Sequence, residues 1–342
     1  MFLKTKNIGD SIILTSAISA LPKDYQYVDI VCLPESEPIF KMHPRVRHVF
    51  VIPRHLKGFS KVTAYIKFYQ ELTSYSYDFL AHFSNDWRGA LLQRIFPAKL
   101  SVARKTHRRG QFWHQSFDIL TESLDDLRPI AEQDVDLLRA VGLYGNVKAP
   151  SYLVKTSINQ KSKIKNWLSK HSVVSNKKLV VIHAPSRWKF KELPIATWVN
   201  VIDKLKENKF EVVLCGSKED LLTNQAIYAL CKMKPIITND FSLEDTAALY
   251  SLAHLVLTID SMSTHLASAT QTPVISIFGP SNEKNWGPWG GKHRVIALTT
   301  ENSPTFACRP CGNDGCEGSK ISQCLIQMEP DLIISEALKI LR

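Results

Sequence analysis

The chain has 342 residues, of which 44% are hydrophobic and 22% charged, and a formal net charge of +11. A single hydrophobic core stops growing at ~250–300 residues, so the length predicts two domains of ordinary globular composition. The first residues lack the pattern of a secretory signal peptide, and no apolar run approaches the ~20 residues that cross a bilayer. We therefore expect a cytoplasmic protein whose contact with the inner membrane is peripheral.

The first half of the chain alternates strand-like and helix-like segments. After a very short first strand, buried strands are predicted at 27–33, 46–52, 77–83 and 100–103. Helices are predicted at 11–21, 61–73, 87–95 and 131–140. Alternation of this kind predicts a parallel sheet covered by helices on both faces.

A break rich in Gly, Asn and Pro follows at 142–150, and the alternation then restarts. The second set of predicted strands is 179–183, 211–215, 235–238, 255–259 and 273–278, with helices at 195–206, 221–233 and 243–252. We therefore expect two doubly wound α/β domains, residues 1–150 and 151–342, that face a central cleft. The last helix, 331–341, is expected to pack back on the first domain.

Asp10 is the first candidate site residue, in the segment NIGDS between the first strand and the first helix. Asp is among the favoured helix-capping residues, so a plain N-cap is one interpretation. If the cleft opens at this point, the same carboxylate could accept a proton from a hydroxyl group. Gly9 is expected to allow a backbone turn there.

The second candidate is the segment HAPSRWKFKELP, which begins where the predicted strand at 179–183 ends. A hydroxyl (Ser186) and three cations (Arg187, Lys189, Lys191) lie in the loop before the next helix. Such a set at a strand end forms a plausible phosphate cradle, although no P-loop motif is present. A solvated basic loop is the alternative.

A third candidate follows the strand at 255–259, where polar residues open a helix. Those residues are Asp260, Ser261, Ser263 and Thr264. The first-turn amides of a helix lack intrahelical partners and carry the positive end of its dipole, so they could hold a pyrophosphate without a metal. A simple N-cap with His265 packed in the interior is the alternative.

Four cysteines lie close together near the C-terminus: Cys308, Cys311, Cys316 and Cys324. Four thiols within a short span can form a tetrahedral zinc site, but their spacing matches no finger pattern well. Reduced thiols are the other interpretation.

Trp286 and Trp289, in a loop rich in Gly and Pro, either flank a nucleobase or simply pack.

The positive charge is concentrated in one part of the chain. Residues 41–109 carry 14 Lys and Arg against three acidic residues, an excess as large as that of the whole chain. This distribution favours an anionic partner for the first half, either a phosphorylated or carboxylated glycan or a nucleic acid. A merely solubilising surface is the alternative.

Together these segments resemble glycosyltransferase family nine, the bacterial heptosyltransferases. The resemblance is most specific in IGDSIILTSAISALP and in TIDSMSTHLASATQTPVISIFGPSNEKNWGPWG. The segments SRWKFK and FSNDWRGALLQR and the cysteine-rich tail are most similar to the subgroup that branches the lipopolysaccharide inner core from heptose II. The family implies a GT-B fold and an inverting, metal-independent transfer from ADP-L-glycero-β-D-manno-heptose, with no cofactor.

The resemblance also implies roles for particular residues. Asp10 matches the presumed catalytic base and Lys191 a phosphate-binding lysine. Asp260 with its following turn matches a diphosphate-binding segment, His265 matches its histidine, and Glu219 or Asp220 matches an acid that holds the donor ribose. The anionic acceptor is expected at four cations of the basic half: Arg88, Lys105, Arg108 and Arg109.

Two other classes of protein fit the same fold and charge. A nucleotide-sugar epimerase or hydrolase would need a second carboxylate near Asp10. A nucleic-acid-binding protein would need a continuous basic stripe with stacking aromatic residues. The neutral second half, with its donor-type site, argues against nucleic acid.

Overall fold

The computed structural model describes residues 1–54, 56–96, 98–122, 127–145, 151–173, 176–299 and 303–342. The chain divides into two compact units, Met1–Lys155 and Thr156–Arg342, which we call the N-terminal and C-terminal units. The expected domain boundary at residue 150, and the end of the predicted break at 142–150, lie outside the described residues. No helix of the described part is long and apolar enough to cross a membrane.

The N-terminal unit contains a six-stranded parallel sheet in the order β3-β2-β1-β4-β5-β6. Its strands are β1 (Phe2–Lys4), β2 (Val28–Cys32), β3 (Val46–Val51), β4 (Phe79–His82), β5 (Leu100–Arg104) and β6 (Ile119–Thr121). Its helices are α1 (Ile8–Ala20), α2 (Glu37–Lys41), α3 (Gly58–Thr73), α4 (Trp87–Ile95), α5 (Gln111–His114) and α6 (Ile130–Arg139). This is the strand order of dinucleotide-binding folds.

Helices cover both faces of this sheet. On one face, buried side chains of α1, α2 and α6 form a core with Phe2 of β1. On the other face, side chains of α3, α4 and α5 pack with Leu3. Neighbouring residues of β1 point to opposite faces, as the pleat of a strand requires. The sheet is therefore buried on both sides, which is why its strands read as almost continuous apolar runs.

The C-terminal unit repeats this architecture, with the parallel order β12-β11-β10-β7-β8-β9. Its strands are β7 (Leu179–His183), β8 (Glu211–Cys215), β9 (Ile236–Thr238), β10 (Leu255–Ile259), β11 (Val274–Phe278) and β12 (His293–Ala297). Its helices are α7 (Ile158–Lys170), α8 (Ile195–Glu207), α9 (Leu221–Leu230), α10 (Leu243–Leu252), α11 (Met262–Ala269), α12 (Glu283–Trp286), α13 (Gln323–Ile326) and α14 (Pro330–Leu341). The last helix, α14, contributes Ile333, Ala337 and Leu341 to the core of this unit beside α8.

Each sheet has a point at which the strand order reverses, between β1 and β4 in the first sheet and between β7 and β10 in the second. Ligands of open α/β sheets bind outside the carboxyl ends of the strands at such a point. The segments that follow β1, β4, β7 and β10 are therefore where a site is expected. The first three sequence candidates lie there: Asp10, the loop 184–191 and Asp260.

Candidate functional site

Lys191 and Asp260 form an ion pair at the reversal point of the second sheet. Lys191 ends a short 3₁₀ turn (Lys189–Lys191) after β7, and Asp260 directly follows β10. The ammonium nitrogen lies 2.6 Å from Asp260 Oδ2, and the two side chains are 20% and 9% exposed. An ammonium has three donors, so Lys191 keeps donors for a further anion while Asp260 fixes its position.

Glu192 organises the loop that carries Lys191. Its Oε1 accepts a hydrogen bond from the Ser186 backbone amide at 2.9 Å, and its carboxylate pairs with Lys189. The Ser186 hydroxyl in turn accepts the Trp188 amide. Of the cations predicted to form the phosphate cradle, Lys189 is neutralised by Glu192 and Arg187 is exposed. Lys191 is the one that the loop places beside Asp260.

The helix after Asp260 begins differently from our expectation. Ser261 is the N-cap of α11, and its hydroxyl accepts the Ser263 amide, while the Thr264 amide donates to the Ser261 carbonyl. The expectation that the first-turn amides are unpaired is therefore wrong for these two groups. The side chains of Ser263 and Thr264 are buried, and both are hydrogen-bonded inside the unit. The Ser263 hydroxyl accepts from Tyr250, and the Thr264 hydroxyl bonds the Ile259 carbonyl and Ser276. His265 is also buried, at 4% exposure.

Glu219 and Asp220, the two candidates for the ribose contact, differ in their surroundings. Asp220 Oδ2 accepts the Ser217 amide and the Ser217 hydroxyl, both at 2.8 Å, and so caps the 3₁₀ turn Lys218–Asp220 after β8. Glu219 is exposed, and hydrogen bonds from its own amide and from Ser217 lower the pKa of its carboxyl. The sequence spacing alone did not separate these roles.

A cavity of about 400 Å³ opens beside Lys191. Three segments of the C-terminal unit line it: Trp188, Phe190 and Lys191; Ser281, Asn282 and Trp286; and Pro310, Cys311 and Gly312. Two tryptophans, a cation and polar side chains around one cavity suit a ligand with flat and anionic parts. Sequence reasoning did identify the first two segments, but it missed the third as a wall of the cavity.

Arg309 holds that third wall in place. Its guanidinium donates to the carbonyls of Gly279, Leu298 and Ser281 and pairs with Glu283 at 3.0 Å, and the side chain is 2% exposed. A planar guanidinium with five donors can satisfy these four acceptors, whereas a lysine has only three donors. Arg309 therefore positions the loop of Cys311 against the segment after β11. Nothing in the sequence pattern marked it.

All four C-terminal cysteines are free thiols, with Cys308 and Cys311 exposed and Cys324 buried. Burial raises the pKa of Cys324 to about 11. Within the described ranges, no three His, Cys, Asp or Glu side chains are grouped to hold a metal ion. Zinc was one of two interpretations of this cluster, and the arrangement gives it no support.

Asp10 lies in the first turn of α1, as its third residue, and Asn7 is the N-cap. The N-cap interpretation of Asp10 is therefore wrong, as is the turn at Gly9, which is helical. The carboxylate is 15% exposed and lies 3.8 Å from the ammonium of Lys6. Burial and the neighbouring Lys4 lower the pKa of Lys6. Asp10 is thus a partly accessible carboxylate at the carboxyl edge of the first sheet.

Asp86 connects the ends of β1 and β4 at that edge. Its carboxylate accepts from the Thr5 hydroxyl and from the Arg88 amide, and it caps α4. Arg88 also pairs with it through Nη1 at 3.4 Å. The Arg109 guanidinium donates to the Asn85 carbonyl in the same loop. Arg88 and Arg109 therefore converge on the loop 84–86.

The other two predicted acceptor cations are less confined. Lys105 pairs with Glu122 at 2.7 Å, with both side chains at least 45% exposed. Arg108 is exposed, and its amide donates to Thr106. An exposed pair of this kind contributes little to stability, so Lys105 can exchange partners at little cost.

Two Rossmann-like units with identical strand order are the architecture of the GT-B fold, and solved structures with this fold match 99% of the chain. A family 9 glycosyltransferase from Veillonella parvula matches with a TM-score of 0.84 at 17% identity, over 99% of this chain and 96% of that one. The ADP-heptose lipopolysaccharide heptosyltransferase II of Escherichia coli matches with a TM-score of 0.77 at 18% identity, over 99% and 98%. At this identity both matches establish the fold.

The sequence comparisons define the family. The family model described as glycosyltransferase family 9 (heptosyltransferase) matches residues 65–312. Lipopolysaccharide heptosyltransferase 3 of Escherichia coli is 27% identical over 289 residues, which cover 82% of this chain and 83% of that protein. The chain belongs to glycosyltransferase family 9 and is an enzyme of the heptosyltransferase type.

Proposed function

We propose that this enzyme transfers heptose with inversion from ADP-L-glycero-β-D-manno-heptose to the inner core of lipopolysaccharide, branching from heptose II. The Lys191–Asp260 pair carries the proposal, since it presents a partly exposed cation beside a ligand-sized cavity at the reversal point of the second sheet. The similarity to Escherichia coli lipopolysaccharide heptosyltransferase 3 supports the choice of acceptor.

The C-terminal unit would bind the donor. Lys191 would contact the diphosphate, with the positive end of the α11 dipole behind it. Asp260 would orient Lys191, and Ser261 would hold the first turn of the helix. Glu219, whose carboxylate is exposed, would accept hydrogen bonds from the ribose, whereas Asp220 would keep its loop in shape.

The remaining predicted donor residues would either border the diphosphate or support helix α11 from the interior. Ser186 and Arg187 would border the diphosphate from the loop after β7. Ser263, Thr264 and His265 would support α11 from the interior, because their side chains are buried. They would position the helix without touching the ligand through those side chains.

Asp10 of the N-terminal unit would act as the general base. It would take the proton of the acceptor hydroxyl as that oxygen bonds to the anomeric carbon, while the bond from that carbon to the diphosphate breaks on the opposite face. The transition state resembles an oxocarbenium ion, as in inverting glycoside chemistry generally. Fixed cations and dipoles near Lys191 would stabilise the departing ADP without reorganising.

The acceptor would lie against the basic N-terminal unit. Arg88 and Arg109 converge on one loop, with Lys105 and Arg108 farther along. The phosphates and carboxylates of an inner-core glycan would meet these cations. Because that acceptor is membrane-anchored, the enzyme would work in the cytoplasm, peripherally on the inner membrane, and it would need neither a metal cofactor nor a nucleic acid partner.

A mass-spectrometric assay of nucleoside diphosphate release, which registers both ADP and UDP, tests this proposal. Candidate ADP-sugars and UDP-sugars are each incubated with lipid-free core oligosaccharides that end at heptose I, at heptose II or beyond. We expect product only from the ADP-heptose and only with acceptors that contain heptose II. Turnover of a UDP-sugar, or equal turnover of a core lacking heptose II, would overturn the assignment.

A further inference from the structure

The N-terminal unit exposes two rows of apolar side chains on helices that cover the same face of its sheet. One row lies on α3 and the other on α4, and their inner residues Phe68, Leu72, Ala90 and Leu92 share one core. Within each row the residues are three or four apart, so they lie on one side of the helix. The rows are Phe59, Val62 and Ile66, and Trp87, Leu91 and Ile95.

A large fraction of each of these apolar side chains is exposed to solvent. Phe59 is 81% exposed and Trp87 is 56% exposed, and the Trp87 ring lies 5.6 Å from that of Phe112, itself an exposed residue. Tyr69 of α3 and Phe96 after α4 are in ring contact at 5.7 Å, which joins the two helices. Exposed apolar side chains grouped in this way on two helices of one sheet face mark a candidate interaction site.

The charges around the two rows are almost all positive. Lys57, Lys61 and Lys67 are exposed, and in the described part of the chain none of them forms an ion pair. The acidic residue of α3 is Glu71, in its last turn, and the acid at the start of α4, its N-cap Asp86, pairs with Arg88. A partner for this face must therefore accept aliphatic side chains and carry negative charge.

We propose that this face lies against the headgroups of an anionic lipid bilayer. We call it the apolar-basic face: Phe59, Val62, Ile66, Trp87, Leu91 and Ile95, with Lys57, Lys61 and Lys67. Interfacial helices insert apolar side chains at the boundary of headgroups and acyl chains, and their lysines meet anionic lipid. The inference rests on the proposed function, whose acceptor is itself membrane-anchored.

Other partners fit this chemistry less well. Lysine is depleted from the cores of protein–protein interfaces, yet the segment that carries the α3 row, residues 57–67, also carries three lysines. A nucleic acid would match the charge, but single-strand binding relies on aromatic stacking, and the α3 row contains two aliphatic residues, Val62 and Ile66. A bilayer accepts both kinds of side chain at once.

Co-sedimentation with vesicles tests the proposal on the full chain. Vesicles of phosphatidylcholine alone are compared with vesicles that also contain phosphatidylglycerol. One variant removes apolar contact (Phe59→Ser with Ile66→Ser), and a second reverses charge (Lys61→Glu with Lys67→Glu). The matched control is Ile158→Ser with Lys165→Glu in the C-terminal unit, where Ile158 is 83% exposed.

We expect binding to the anionic vesicles alone, weakening with salt. One lysine near an anionic surface is worth about fivefold in partitioning, so the charge-reversal variant should lose at least roughly 25-fold. The apolar variant should also lose binding, and the control should keep it. Thermal unfolding should be unchanged in all three, since every altered side chain is exposed.

Three results would overturn the proposal. In the first, the unaltered chain fails to bind anionic vesicles, and in the second, all variants and the control bind them equally. In the third, sedimentation velocity shows that the unaltered chain is a dimer and that the apolar variant is a monomer. The last would assign the face to a second copy of the chain. ADP release with a lipid-free core acceptor separates this test from the proposed function, because the variants should retain it. Vesicle binding without any heptose transfer would remove the function and leave the membrane face.

Discussion

Replacing Lys191 with alanine separates a phosphate contact from a structural ion pair. The ammonium lies 2.6 Å from Asp260 and is partly exposed toward the cavity. A charge-assisted hydrogen bond to phosphate contributes ~1.5–3 kcal/mol, which corresponds to a roughly 10- to 150-fold rise in the Kd for ADP. The change also leaves the Asp260 carboxylate unpaired beside the ligand, so the upper part of that range is expected.

The matched control is Lys189→Ala, two residues away on the same 3₁₀ turn. Lys189 pairs with Glu192 and is 67% exposed, so its loss should leave ADP affinity within about twofold, as the small worth of exposed pairs implies. Adding Asp260→Asn to Lys191→Ala should restore part of the affinity, because it removes the unpaired charge. Calorimetric titration with ADP measures all these variants.

The Lys191→Ala substitution should also lower the stability of the protein. Removing one partner of a fully buried ion pair costs ~3–5 kcal/mol, and the partial exposure of Lys191 should keep the loss below that. Thermal unfolding of Lys191→Ala should therefore begin at a lower temperature, and saturating ADP should raise it less than in the unaltered chain. Equal ADP affinities for Lys191→Ala and Lys189→Ala would refute the phosphate role.

Four further predictions concern the other groups. Asp10→Asn should keep ADP affinity but lower kcat by ~10²–10⁴, and a near-normal kcat would exclude a general base at this position. Arg88→Ala and Arg109→Ala should raise the acceptor KM, less so at high salt, without changing the Kd for ADP, and a changed ADP affinity would mean that the roles of the units are reversed. Turnover should survive EDTA, and loss that Mg²⁺ restores would contradict the mechanism. Burial lowers the pKa of His82 to about 4 and that of His43 to about 3, against ~6.5 in the unfolded chain. Between these values the unfolded state binds more protons, so the stability of the protein should fall as the pH falls from 6.5 toward 4. Equal melting temperatures at pH 7.5 and pH 5 would contradict this.

The central strands of both sheets could be predicted because they are buried on two faces and therefore read as apolar runs. The edge strands β3 and β9 could be predicted as well, but the edge strands β6 and β12 could not, since β6 has three half-buried residues and β12 begins with three exposed ones. Helix α7 was missed because only Ile164 and Leu168 are buried in a segment rich in lysine and asparagine. An element with few buried side chains therefore leaves only a weak hydrophobic pattern in the sequence.

In the candidate site, the residues that directly follow strands could be predicted, and those placed by contacts with distant residues could not. Lys191 and Asp260 could be predicted because strand ends at a sheet reversal are placed by topology. The inward direction of Ser263 and Thr264 could not, because it depends on Tyr250 and Ser276, which the sequence does not bring near them. Arg309 was missed since three of its four partners are backbone carbonyls, which any residue supplies.

The clamp of Arg309 has a consequence for how the enzyme is made. The wall after β11 is braced by residues about 30 positions later in the chain, and a side chain at Gly279 would collide with Leu325 of α13. The core of the C-terminal unit also includes residues from Phe306 to Leu341, so neither that core nor the cavity beside Lys191 is complete until these residues have been made. A chain truncated before Arg309 should therefore lose both nucleotide binding and the stable fold of the C-terminal unit, while the N-terminal unit keeps its own core.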